Sequence, residues 1–125
     1  MLGEAKITCR ALDKHYEPEL CRLIKAGIQV LKTRGIVFDG DFTYTTETEA
    51  ATGLPVVASH ECTITDAWVK TVVLTYVKAY FPGIKDAEKL QEAFENMLGS
   101  MMNTDGYTDW KDGSTDGESG GDSAD

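Results

Sequence analysis

Thr63-Ile64-Thr65-Asp66-Ala67-Trp68-Val69-Lys70-Thr71-Val72-Val73-Leu74-Thr75-Tyr76-Val77-Lys78-Ala79-Tyr80-Phe81-Pro82-Gly83 is the stretch on which the fold turns. Thr63 stands three residues before Asp66, the spacing at which a hydroxyl caps a free backbone N–H and a carboxylate reaches back and favours the positive end of the helix dipole. From Ala67 to Phe81 only Lys70, Thr71, Thr75 and Lys78 are polar, and they form one narrow stripe. A surface helix ordinarily shows an apolar arc of roughly 100° or somewhat more, so this one needs cover on two or more sides. Its valines would also suit a strand, but the run exceeds the usual buried strand of about 4–8 residues. Pro82-Gly83 ends it, since proline cannot continue a helix.

Downstream, Leu90, Ala93, Phe94, Met97, Leu98 and Met101 recur at helical spacing, with Asp86 as the expected cap and Glu88, Lys89, Gln91, Glu92, Glu95 and Asn96 facing outward. Met97, Met101 and Met102 read as adaptable core filling. Upstream, Pro18 suits a first helical position, and Leu20, Leu23, Ile24, Ile28 and Leu31 repeat until Gly35. Before that, Thr8 is expected to cap a short helix through about Lys14, with Leu12 inward. Residues 37–63 have strand composition, with Phe42, Tyr44, Val56 and Val57 among threonines, and predict a β-hairpin or extended loop. From Asp112 to Asp125 there is no large apolar side chain, so this part should remain a solvated, disordered tail. The expected class is mainly α: a small bundle of three to four helices in one domain, 1–110, with a long hairpin-like loop, 37–63, between the second and third helices, and an acidic tail, 111–125.

Charge narrows the partners. The net charge is −9, of which the tail's five acids carry more than half, and the pI is about 4.6. Lys and Arg are not clustered, so the electrostatic footprint of a phosphate-gripping protein is missing and sequence-specific DNA binding is disfavoured. No GxSxG, P-loop, HExxH or GxGxxG occurs, and an enzyme is not expected; nor is any catalytic residue, cofactor or metal. His15 reads as a solvated or capping side chain, and His60-Glu61 would need a third partner to act as an acid/base pair. Cys9, Cys21 and Cys62 lack CxxC spacing and read as reduced thiols rather than zinc ligands shared with His60. Asp112, Ser114, Asp116 and Gly117 imitate an EF-hand start, but Ser123 stands where the bidentate glutamate belongs. Neither a membrane-spanning run nor the apolar stretch of a signal peptide is evident, which gives the expectation of a soluble intracellular product.

The run from Ile64 to Phe81, the helix from Leu90 to Met102 and the closing Gly106-Tyr107-Thr108-Asp109-Trp110 resemble, in that order, the head-tail connector (adaptor) family of tailed bacteriophages. The likeness covers residues 64 to 110 well and 7 to 110 in layout. It implies a structural virion protein, made in the host cytoplasm and placed in the neck, that forms a ring of about twelve copies on the portal. Such a protein joins head to tail, meets a head-closure or tail-completion protein and lines the channel for non-specific passage of double-stranded DNA. Trp68, Val72, Tyr76, Tyr80, Phe81, Tyr107 and Trp110 are then the expected subunit-interface residues, and Phe42, Tyr44, Val56 and Val57 the expected portal or channel loop residues. The alternative is a cellular helical protein-interaction module without catalytic activity.

Overall fold

A computed structural model describes residues 1–83, 85–104, 106 and 107. The described residues are mainly α, with four α-helices and one two-stranded antiparallel sheet. The acidic tail and Trp110 lie outside the described residues.

The first helix, α1, spans Leu2–Thr8 and buries Leu2 and Ala5. The sequence places a helix start at Thr8; the chain instead ends one there. Arg10 takes a left-handed conformation (φ 55°), Ala11 N donates to Lys6 O at 2.9 Å, and Arg10 N donates to Ile7 O at 3.1 Å. These are the paired bonds of a Schellman stop, achieved without the usual glycine. Leu12, expected inward, is 67% exposed. A single 3-10 turn, Lys14–Tyr16, follows, with Asp13 accepting from His15 N. The second helix, α2, spans Glu17–Thr33 with Pro18 in its first turn, where a missing N–H costs nothing. It ends in the same stop, Ile36 N to Leu31 O and Gly35 N to Lys32 O, this time with Gly35 at φ 85°.

Strands β1 (Phe42–Thr48) and β2 (Pro55–Cys62) pair antiparallel, from Phe42 opposite Cys62 to Thr48 opposite Pro55, with an irregularity between Thr45 and Thr46. Phe42 and Ile64 carry the base of this pair into the core beside α2.

Helix α3 spans Ala67–Tyr80. Its cap is Asp66, which accepts from Val69 N at 3.0 Å. Thr63, the residue expected to cap it, instead bridges to Asp41: its hydroxyl accepts from Asp41 N and its own N–H donates to Asp41 O, both at 2.9 Å. Phe81 is extended (ψ 133°) because Pro82 excludes the helical conformation from the residue before it. Helix α4 spans Ala87–Met102, and its buried seam is Phe94, Leu98 and Met101. Asp86 stands at its N-cap in the left-handed region without a side-chain capping bond, contrary to the expectation from sequence.

Helices α1, α2 and α4 all pack on α3. Val69, Val72, Val73 and Val77 are fully buried among them. Much of the cover that so apolar a helix requires therefore comes from its own chain. Val72, expected on a subunit face, has no exposed surface to offer.

Candidate interaction surfaces

Two aromatic clusters mark the ends of α3. At its C-terminal end the ring of Tyr76 lies edge-on to Phe94, with centroids 5.2 Å apart, and beside Tyr80 at 4.5 Å. Gly27 of α2 makes this possible: a Cβ there would meet Tyr76 Cδ1 at 3.1 Å. Burial pushes the Tyr76 hydroxyl above its usual pKa, reinforced by Tyr80 and opposed by Arg22. Phe81, half-buried, stands edge-on to Tyr16 at 5.8 Å. Tyr80 and Tyr16 are 44% and 50% exposed, so a run of aromatic rings leads from the core to solvent. Tyr16 was not among the expected interface residues; its only sequence signal is an aromatic set in the charged stretch from Asp13 to Glu19.

At the N-terminal end the Trp68 and Tyr107 rings pack T-shaped at 5.1 Å, both half-buried. Tyr107 OH donates to Asp66 Oδ2 at 2.7 Å, and its carbonyl accepts from Val37 N at 2.6 Å. The Tyr107 hydroxyl, then the Val69 N–H, hold the Asp66 carboxylate below its usual pKa against the opposing effect of burial. That carboxylate correspondingly raises the Tyr107 hydroxyl. Tyr107 thus joins the end of α4 to the cap of α3 and to the chain leaving α2, around an open recess of about 420 Å³ that includes Phe38 and Asp39. Tyr107→Phe should cost about 1 kcal/mol, the loss of one half-exposed bond to a charged acceptor. Asp66→Ala removes cap and partner together and should cost about 1–2 kcal/mol. Urea unfolding of the double variant should add little to Asp66→Ala, because the two changes delete one shared bond.

The stretch expected as a β-hairpin or extended loop forms the antiparallel pair of β1 and β2. Phe42 is fully buried, its ring tilted against Tyr44 and stacked near His60 (centroids 6.1 and 6.3 Å), and Val56 is also buried. Tyr44 and Val57 are half-buried. Most of the hairpin is exposed, including Thr43, Thr45, Thr46, Ser59, His60 and Glu61, with Thr45 Oγ1 and Ser59 Oγ 2.7 Å apart. The accessible surface of β1 is rich in threonine hydroxyls, with Thr45 to Thr48 all exposed.

His60 and Glu61 are neighbours on one strand and project to opposite faces. Cys9 and Cys21 are buried, and burial raises both thiols, Cys21 to about 12, which keeps them protonated and poorly nucleophilic. Among the described residues, no three His, Cys, Asp or Glu side chains come together as a metal site requires. Among the same residues, no helix is long and apolar enough to cross a membrane. The chain matches no protein-family model, no curated protein and no solved structure.

Proposed function

We propose that the chain is a structural virion protein whose copies form a ring on a phage portal, join head to tail and surround the DNA path. The observation that carries this reading is the aromatic surface at the C-terminal end of α3. The valines of that helix are covered within the chain, whereas Tyr80 and, from the 3-10 turn, Tyr16 leave about half of their surface in solvent beside Phe81. Large aromatics that are rigid and amphipathic are favoured at protein contacts. In a ring the contact is heterologous, so this surface meets a different patch of the next copy. The order of helix, Pro-Gly turn, amphipathic helix and Tyr-containing end supports the same assignment through its resemblance to the connector family. Acidity supports it weakly: a negative wall does not hold DNA, but screening over about 10 Å means that only charges near the channel act.

Electron microscopy of the purified chain mixed with its candidate portal tests the reading. Rings seated on the portal are expected, and Tyr16→Asp with Tyr80→Asp should weaken attachment about tenfold or more while circular dichroism stays unchanged. Monomers that never join a portal under any condition would overturn it. A monomer alone in solution would not, because such rings can form on a partner. The second reading, a cellular interaction module, is favoured by one observation: α1, α2 and α4 already bury the valines of α3, as a self-sufficient monomer requires. Failure to join any portal, together with binding of a cellular protein that Tyr80→Asp abolishes, would select that reading.

A further inference from the structure

The connection between α1 and α2 holds a charged cluster that the proposed ring does not use. Glu49, in the turn between β1 and β2, accepts from Thr52 Oγ1 at 2.8 Å, pairs with Lys14 Nζ and faces His15 Nε2 at 3.0 Å. On the opposite side of the ring, His15 Nδ1 lies 2.9 Å from Asp13 Oδ1. Neutral imidazole has one N–H and can serve only one of these carboxylates; imidazolium donates to both. The charged ring is the form that suits both carboxylates at once, with Nε2 hydrogen-bonded to Glu49 and Nδ1 in ionic contact with Asp13.

From this geometry we infer that His15 is a proton-controlled latch, holding the hairpin turn against the α1–α2 connection when charged and loosening it when neutral. The turn is closed on itself, since Gly53 N donates to Glu49 O at 2.7 Å and Glu49 N to Leu54 O at 2.8 Å. Strand β2 packs on the 3-10 turn that carries His15. Val56 of that strand is buried but stands outside the main core cluster, which Val57 touches while half-buried.

The charged groups facing the imidazole are Asp13 and Lys14 of its own segment and Glu49 of the hairpin turn. On α2, Glu17 is engaged by Lys6 and Glu19 by Arg22. On β2, Glu61 and His60 pair with Thr43 and Tyr44, at the end of the strand away from the turn. The Glu49 carboxylate, with Asp13 also contributing, raises His15 above its ordinary 6.5. Lys14 first, then Thr52 and His15, hold Glu49 down at about 2 from 4.5. The His15 contribution is complete below 6.5 and is lost as pH rises through the raised value; that of Glu49 is complete above 4.5 and is lost as pH falls through about 2. The latch is strongest between 4.5 and 6.5. Lys14 keeps its charge across this range, so the closed state weakens at high pH without vanishing.

The test is an NMR titration of the full chain from about pH 5 to about pH 8.5, following the His15 ring carbon, the Gly53 amide and the Leu54 methyls together. The three signals should share one midpoint above that of a free histidine, and the population of the open turn should rise roughly two- to fivefold across it. His15→Gln should abolish the step at Gly53 and Leu54. Glu49→Gln should lower the His15 midpoint. Lys14→Gln should enlarge the opening, and it serves should His15→Gln fail to fold. A His15 midpoint at or below the ordinary value would overturn the latch, as would Gly53 and Leu54 signals that stay still while His15 titrates or that keep their step in His15→Gln.

Discussion

Phe94→Ala is expected to lower the unfolding free energy by about 3–5 kcal/mol, the range for an aromatic deleted from a close-packed core. Phe94 is 1% exposed and belongs to the buried seam of α4, where its ring meets Tyr76 edge-on. Neither helix can collapse easily into the space, because Leu98 and Met101 hold α4 against α3 on the same seam and both are fully buried. For a domain of this size, whose whole stability is of the order of 5–15 kcal/mol, that is a large fraction. Denaturant unfolding followed by tryptophan fluorescence measures it. Leu90→Ala, at a half-buried position of the same helix, is the control and should cost less. A Phe94→Ala loss below about 1 kcal/mol would mean that α4 does not close the core.

Gly40→Ala should cost about 3 kcal/mol, from left-handed backbone strain and steric overlap acting together. Gly40 has φ 99°, and a Cβ built there would lie 2.5 Å from Thr63 O and 2.6 Å from both Thr63 C and Ile64 N. These are backbone atoms and cannot swing aside as a side-chain tip would. Thr63 is held by its two bonds to Asp41, and Ile64 is anchored in the core, so relief must come from displacing the base of the hairpin. Gly35 separates the two causes. It too has positive φ, 85°, but nothing lies within 4 Å of its Cβ position. Gly35→Ala should therefore cost only the backbone strain, about 1–2 kcal/mol. Unfolding curves for both variants, with hydrogen exchange at β1 amides, distinguish them: exchange at β1 should rise in Gly40→Ala beyond what the global loss explains. Equal costs at the two glycines would show that the hairpin base yields freely.

The contrast between the first two helix ends shows what could be read locally. Both α1 and α2 close with the same pair of backbone bonds, but only Gly35 advertises the stop. Arg10 performs the same turn at positive φ and carries no composition signal, so the helix start expected at Thr8 became a helix end. At α3 the capping spacing is present in the sequence, yet Thr63 bridges to Asp41, a residue brought near only by the hairpin, and Asp66 caps instead. Among the interface candidates, Tyr80 and Phe81 sit at an accessible aromatic end, Trp68, Tyr76 and Tyr107 are half-buried against one another or against α4, and Val72 is core. Of the loop candidates, Phe42 and Val56 are buried and Tyr44 and Val57 half-buried, which only the paired strands decide.

The mainly helical class, the end of α3 before Pro82, the run of α2 from its Pro18 to Gly35 and the wet and dry faces of α4 are determined by the sequence alone. They follow from backbone propensity and spacing over a few residues, forces that act before any distant contact forms. Only the tertiary structure decides which neighbours cover α3, that Tyr107 closes on Asp66, that Phe42 turns inward and that His15 meets Glu49 of the hairpin. Each of those depends on groups far apart in the chain, and their burial or charge has a sign only after folding has chosen the partner.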